Sequence, residues 1–222
     1  MNSHLTNGSD RLVVNEIFHS IQGESSWTGW PCVFVRLTAC DMRCVWCDTE
    51  YAFHEGKERP VADVVKEVLA IDCRLVELTG GEPLLQPGVY PLMRRLIEAK
   101  RKVLLETGGG MATNRVPEEV HVILDVKCPG SGMADRNVWE NLTRLRPGDE
   151  VKFVLCDRRD YEWAREVVER HRLVQRSTVH FSCVWDRLEP KLLAGWILED
   201  HLPLRMNLQI HKCIWGPEVR GV

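Results

Sequence analysis

Cys40, Cys44 and Cys47 lie within the short run TACDMRCVWCDT, Thr38–Thr49. Soft thiolates at this spacing suit zinc or an iron–sulfur cluster. A closed structural site takes four protein ligands, and a site with a vacant position is the arrangement used for catalysis. A four-iron cluster held by three cysteines has one iron free to take a further ligand, so the count itself points to something that binds there. Taken alone, the three thiols also allow a zinc site completed by a histidine such as His54, or no metal at all. Asp48 and Thr49 follow the last cysteine directly, and Thr49 reads either as a further ligand or as a hydroxyl capping the turn beside a solvated Asp48.

Other reactive types recur at strand-like ends. Thr79-Gly80-Gly81-Glu82-Pro83 offers a backbone that a ligand can approach closely and a carboxylate that can accept from an ammonium group. The plain alternative is a strand-to-helix turn with an acid at the helix N-terminus. Thr107-Gly108-Gly109-Gly110 is a weaker signal of the same kind. Lys127 and Ser131 in DVKCPGSG, with Cys183 and Val184 further on, are candidates for a remaining wall. Ahead of the cysteines, His19-Ser20-Ile21-Gln22-Gly23-Glu24 puts an amide and a carboxylate on either side of a glycine, and Arg36 follows. Gln22 and Glu24 can read the donor and acceptor edge of a polar heterocycle, and Arg36 can hold a carboxylate bidentately. The alternative for this run is an ordinary solvated turn before the first strand.

The elements that must carry these residues alternate. Apolar, β-branched runs occur at 32–37, 74–79, 102–107, 120–126, 150–155, 178–184 and 204–210, and amphipathic helical patterns separate several of them, as in VADVVKEVLA. Near-continuous apolar strands with intervening helices indicate a parallel sheet covered by helices. Right-handed crossovers curl such a sheet. A complete eight-fold barrel needs about 250 residues, so 222 residues point to an α/β fold built as a partial TIM-like barrel of about six parallel strands with outer helices. No linker or repeat divides the chain, so one domain over 1–222 is expected, with 1–10 a frayed end and 212–222 a tail near the site. In such folds chemistry collects at the C-terminal ends of the strands, which is where the cysteines and glycine motifs fall.

Composition narrows the class. With 29 basic and 32 acidic residues and a formal net charge of −3, the chain carries no footprint for nucleic acid or an anionic membrane. No stretch approaches the about 20 apolar residues of a spanning helix. Nine cysteines is an odd number; the six outside the motif, Cys156 among them, read as reduced and mostly structural thiols in the core of a cytoplasmic protein.

Cys-x3-Cys-x2-Cys after the first strand of a partial barrel, with Trp46 before the last cysteine, resembles the radical S-adenosylmethionine superfamily. The wider set of motifs is similar to one family within it: SIQGE, then PCVFVRL, the cysteines with CDT, TGGEP, ETGG and LQIHK resemble the 7-carboxy-7-deazaguanine synthases over about Val14–His211. The resemblance implies a lyase that converts 6-carboxy-5,6,7,8-tetrahydropterin to 7-carboxy-7-deazaguanine with release of ammonia, on the route to queuosine-type 7-deazapurines. It implies a [4Fe-4S] cluster on Cys40, Cys44 and Cys47, and Mg2+ on Thr49. S-adenosylmethionine would be held by Trp46, Gly80, Gly81, Glu82, Thr107, Asp125, Lys127, Ser131 and Cys183. Substrate would be held by Ile21, Gln22, Gly23, Glu24, Arg36 and Thr79, with His211 closing the pocket. An external electron donor such as flavodoxin and a homodimer follow from the same resemblance.

The chain departs from the family at several places. Ser25 and Ala39 stand where glycine is common, Asp125-Val126-Lys127 replaces an SPK segment, and CIWGPEVRGV continues past the His-Lys pair. Two other readings compete: an enzyme that places a glycyl radical on a partner protein, and a non-enzymatic iron–sulfur redox protein. The first has no need of QGE or CDT, and an electron carrier prefers four cysteines.

Two thiolates cannot hold a cubane whose fourth iron is already open. Cys44→Ala is therefore expected to abolish iron and sulfide incorporation on anaerobic reconstitution; full occupancy in the variant would remove Cys44 from the ligand set.

Overall fold

The computed structural model describes residues 10–222, so the expectation of a frayed segment over 1–10 falls almost wholly outside the described residues. Nine strands form one sheet: β1 (Arg11–Ile21), β2 (Pro31–Leu37), β3 (Lys57–Pro60), β4 (Leu75–Gly80), β5 (Lys102–Thr107), β6 (His121–Asp125), β7 (Glu150–Leu155), β8 (Thr178–Cys183) and β9 (Arg205–Asn207). Their order is β3-β1-β2-β4-β5-β6-β7-β8-β9. Every pair from β2 to β9 is parallel. The sheet does not close, so the expected partial barrel stands, with seven parallel strands rather than about six. Helices α1 (Val61–Ala70), α2 (Val89–Glu98), α4 (Arg158–Arg170) and α5 (Pro190–Glu199) are the crossovers; α3 (Glu140–Thr143) is a single turn and α6 (Ile210–Trp215) lies near the end of the chain.

Two strands were not legible. β1 pairs antiparallel with β2, and β3 antiparallel with β1. Asn15, Glu16, His19 and Ser20 interrupt the apolar pattern of β1, and β3 reads KERP, because both belong to the margin of the sheet. The run at 204–210 forms a strand only to Asn207; from Ile210 it is α6, since the Ile210 amide is drawn to the Gly23 carbonyl at 3.0 Å. Cys32, Cys73, Cys128 and Cys183 are buried as expected, but Cys156 is only half-buried and Cys213 is exposed. Cys156 follows the end of β7 at the start of α4, where the chain turns outward, so its expected place in the core is corrected.

The loop joining β1 to β2 shapes the barrel most. It leaves at the register pair Ile21–Pro31, at the end of the sheet opposite the strand C-termini. The loop folds up into the barrel rather than out to solvent: Gln22 and Ser25 are buried, the Ser26 amide donates to Glu150 at 3.0 Å, and Trp27 packs edge-on against His121. The barrel therefore has a floor, and the solvated-turn reading of the QGE run does not hold.

At the opposite end the strand exits approach each other closely. A Cβ at Gly80 would lie 2.2 Å from the Leu37 carbonyl oxygen, and one at Gly81 2.1 Å from the Ala39 carbonyl oxygen. The TGG glycines thus let the exit of β4 pass the exit of β2. Ala39 itself sits at φ +78° and Ser25 at φ +66°, the left-handed region that favours glycine. The Gln86 and Ala52 contacts that fix this corner hold the alanine there, with its amide on Ala52 at 2.9 Å.

Relief of a left-handed alanine outweighs the added freedom of a glycine in the unfolded chain. Ala39→Gly is expected to raise stability by about 0.5–1 kcal/mol in urea unfolding of the metal-free chain; a loss of stability would show that the backbone there is not strained.

Candidate active site

One cavity of about 510 Å3 opens at the C-terminal ends of the parallel strands, within the range of small-molecule sites. Its upper wall is the loop after β2. Cys40, Cys44 and Cys47 all reach it, together with Trp46 and Thr49. Burial pushes the Cys40 and Cys44 thiols up, as expected for thiols in a poorly solvated wall. Around a single zinc ion, with Zn–S about 2.3 Å, tetrahedral ligand sulfurs stand roughly 3.8 Å apart. Among the described residues the one trio of ligating side chains that converges to within 4.8 Å is Cys156, Asp157 and Asp160, so the three motif thiols are spread wider than one ion draws them. His54 is exposed and away from the wall. The donor set fits a cluster and does not fit a zinc ion completed by His54.

Thr49 precedes the short helical turn Glu50–Phe53, but its side chain makes no cap hydrogen bond; the hydroxyl lies 3.7 Å from the Cys47 sulfur. Asp48 is paired with the buried Lys212 ammonium at 2.6 Å. Thr49 therefore does not cap the turn, while Asp48 stays exposed to solvent and is held by its pairing with Lys212.

The residues expected around S-adenosylmethionine divide in two. Trp46, Gly80, Gly81, Thr107, Asp125, Lys127 and Ser131 line the cavity. Glu82 and Cys183 do not. The Glu82 carboxylate lies behind the wall and accepts from the Thr107 hydroxyl, the Gly108 amide and the Leu84 amide at 2.8, 2.8 and 2.9 Å. Burial raises its pKa to about 7 even with these three donors. Glu82 thus ties the exit of β4 to the exit of β5, and the glycines beside it form the surface. Asp125 gives one carboxylate oxygen to Lys127 at 2.8 Å, while its other oxygen is buried with no partner. A buried acceptor without a donor is unusual; facing this cavity, it suits a hydroxyl-bearing ligand.

The expected substrate residues Ile21, Gln22, Gly23, Glu24, Arg36, Thr79 and His211 are brought together on the same cavity, Arg36 and Thr79 at the strand exits and the others on the floor loop and α6. Arg36 is flanked by the Phe18 and Tyr51 rings and gives its Nε to Glu16 at 2.7 Å, leaving the other guanidinium nitrogens for a ligand. Gln209 donates to Glu24 at 2.7 Å, so α6 is pinned to the floor loop. Pro217, Glu218 and Val222 also border the opening, and the Arg220 guanidinium rests 3.7 Å over the Tyr51 ring.

Sequence reading missed a group of charged side chains in the barrel interior. Glu77 on β4, Glu106 on β5 and Lys152 on β7 face the cavity beside Asp125 on β6. Lys152 bonds Glu24 at 2.8 Å and also Glu106; Gln22 donates to Glu77. Burial would raise the Glu24 carboxyl, but Lys152, His211 and Gln209 more than offset it and hold it at about 2. Burial, followed by the Glu106 charge, pushes Glu77 well above the usual carboxylate range. A signal existed: LVELT, LLET, ILDV and VKFV each set a charge inside an apolar run.

Gly23 lies directly under His211, and a Cβ there would fall 1.9 Å from the ring Nδ1. Gly23→Ala is expected to displace the His211 ring and cut kcat/KM at least tenfold while cluster content stays at the parent level; parent-like kinetics would show that His211 does not need this seat.

Comparison with known proteins agrees with this geometry. The family described as the radical SAM superfamily matches residues 35–131. The 7-carboxy-7-deazaguanine synthase of Chlorobaculum tepidum is 46% identical over 214 residues, covering 95% of this chain and 97% of that protein. The enzyme of the same name from Koribacter versatilis is 47% identical over 226 residues, covering 95% and 100%. Among solved structures, QueE from Escherichia coli superposes with a TM-score of 0.74 at 21% identity, covering 90% of this chain and 94% of that one, a likeness of fold. No helix among the described residues is long and apolar enough to cross a membrane. These relatives favour neither a glycyl-radical activating enzyme nor a non-enzymatic redox protein. The chain belongs to the 7-carboxy-7-deazaguanine synthase family of the radical SAM superfamily and is an enzyme of that kind, built to use a [4Fe-4S] cluster with S-adenosylmethionine.

Proposed function

We propose that this chain converts 6-carboxy-5,6,7,8-tetrahydropterin to 7-carboxy-7-deazaguanine with release of ammonia. The observation that carries the reading is that Gln22, Gly23, Glu24 and Arg36 face the same cavity as Cys40, Cys44 and Cys47. The chemistry supplied when cluster and S-adenosylmethionine are bound is abstraction of a hydrogen atom from the substrate by a 5'-deoxyadenosyl radical. The chain supplies binding, orientation and exclusion of water. Cys40, Cys44 and Cys47 hold the cluster. Gly80, Gly81, Thr107, Asp125, Lys127 and Ser131, with Trp46, form the cofactor wall. Gln22, Glu24, Glu77 and Glu106 present the amide and carboxyl groups that the amino and ring N–H donors of a pterin require. Arg36 offers its free guanidinium nitrogens to the substrate carboxylate.

Thr49 is assigned to Mg2+ on the ground that its hydroxyl is unused by the backbone and stands beside a cluster ligand. Mg2+ takes few protein oxygens and leaves its other positions to water or substrate. An ion there would reach a substrate carboxylate and fix the reacting carbon near the radical source. A cytoplasmic homodimer served by an external electron donor such as flavodoxin completes the proposal, and family resemblance supports it.

The test is anaerobic turnover of reconstituted enzyme with the carboxy-tetrahydropterin, with and without Mg2+, in parent and Thr49→Ala. The parent is expected to form 7-carboxy-7-deazaguanine and ammonia in equal amounts and to be stimulated by Mg2+. The variant is expected to keep its cluster and S-adenosylmethionine affinity but lose most of that stimulation. Absence of product in the parent would overturn the function; equal stimulation of both would remove Thr49 from the metal site.

A further inference from the structure

Four neighbouring parallel strands each turn one charged side chain into the barrel: Glu77, Glu106, Asp125 and Lys152. Lys152 is the one that meets both ends of the cavity. It is 4% exposed, and its ammonium reaches carboxylates from three different elements. Glu24 of the floor loop lies at 2.8 Å, Glu106 of β5 is in direct contact, and Asp125 of β6 lies at 3.7 Å. These partners face different ligands. Asp125, with Lys127 at 2.8 Å, stands under the cysteine loop on the cofactor side. Glu24 and Glu106, next to Gln22 and Glu77, stand on the floor. The ammonium therefore sits on the seam between the two halves.

We propose that Lys152 is a positioning residue that couples the cofactor and substrate halves of the cavity, holding Glu24 and Glu106 as acceptors for substrate N–H groups and Asp125 as acceptor for the hydroxyl groups of S-adenosylmethionine. The assignment of the two halves rests on the function proposed above. Burial alone would discharge a lysine, yet Glu106, Glu24 and Asp125 hold Lys152 well above the ordinary lysine range, so it stays an ammonium and acts by charge. Without it, three carboxylates would share a poorly solvated space with Lys127 as their nearest remaining cation. They would then take up protons or turn away from one another. A ligand that fixes Asp125 or Glu106 also fixes the ammonium between them, and so lowers the ordering left for the second ligand; this is coupling in the thermodynamic sense. Around the group stand Glu24, Glu77, Glu106, Asp125, Lys127 and, as the register partner of Lys152 on β8, His180.

The experiment compares parent, Lys152→Met and Lys152→Arg. In reconstituted enzyme, the affinity for S-adenosylmethionine is measured with and without the pterin. The parent is expected to bind several-fold tighter with the pterin present, Lys152→Met to show no such gain, and Lys152→Arg to recover part of it. With dithionite as reductant, the 5'-deoxyadenosine released per product formed is expected to rise at least tenfold in Lys152→Met and to return toward the parent in Lys152→Arg. A parallel loss of both products at constant ratio would mark a merely structural lysine and overturn the proposal, as would an unchanged gain in affinity. If Lys152→Met takes up no cluster, Lys152→Arg and Glu106→Gln decide: retained coupling in the first and weakened coupling in the second are expected, and the reverse overturns it. In metal-free protein, the unfolding midpoint of Lys152→Met is expected to fall between pH 5 and pH 8 relative to the parent, because carboxylates that ionise there lack their partner. A parallel pH profile in the two proteins would show that Lys152 does not hold those carboxylates. That arm is independent of substrate identity: a parent that makes no product counts against the proposed function, whereas the pH arm bears on Lys152 alone.

Discussion

A parallel barrel that stops short of closure needs its base filled by something other than side chains from the missing strands. Here the β1–β2 loop does this by folding upward, and it brings polar backbone into a place where every N–H and C=O must find a partner. Most of these groups pair within the loop, as Gln22 with Trp30 and Gly29 with Gln22, and one amide, that of Ser26, reaches a charged side chain. Glu150 accepts from the Ser26 amide and from His121 and His180 at 2.8 and 2.5 Å. Burial alone would raise the Glu150 carboxyl, but the two histidines hold it down at about 2. The loop can enter the barrel because this layer of one acid and two imidazoles receives it. Once it is inside, Gln22 and Glu24 cannot avoid facing the cavity. The floor loop also lines the cavity, so the barrel's incompleteness shapes the candidate site.

The roof depends on a second close approach. The cysteine loop leaves β2 at Ala39, and the exit of β4 passes beneath it with Gly81 touching the Ala39 carbonyl. The Glu82 amide then donates to that carbonyl at 2.8 Å, and the Glu82 side chain fastens the next exit through Thr107 and Gly108. A single acid behind the wall thus fixes the spacing of three strand ends. Its value to the site is indirect: it holds the surfaces that meet the cofactor without forming one. The left-handed Ala39 shows how strongly this corner is determined, since an alanine adopts that conformation only where neighbouring contacts leave it no other.

Much of this was legible in the sequence. The parallel strands were visible because both faces are covered and their apolar runs are continuous. The cysteines, TGGEP and QGE were visible because their types are uncommon at such spacing. β1 was not, since a marginal strand with Asn15, Glu16 and Ser20 obeys neither alternation nor continuity. Glu82 was given a surface role because spacing tells that a carboxylate is near a turn but not which way it faces. Glu77, Glu106 and Lys152 were overlooked for the opposite reason: each is a single charge in an apolar strand, and it acquires meaning only when neighbouring strands bring it side by side with Asp125.

That row also sets the charge balance within the barrel interior. There Glu24, Glu106 and Asp125 share the two ammonium groups of Lys127 and Lys152, one carboxylate more than the ammonium groups of that cluster. Adding an ionised Glu77 would leave two anions in excess in a space with little water. Glu77 is instead the acid whose pKa burial and Glu106 raise, while it accepts from the Gln22 amide. A neutral carboxyl can both donate and accept. Under the proposed function, Glu77 would then suit a heterocycle edge that alternates donor and acceptor, and Glu24, held ionised by Lys152, a group that only donates. Two carboxyl groups in one cavity acquire different recognition chemistry because one lies against a lysine and the other against a second carboxylate.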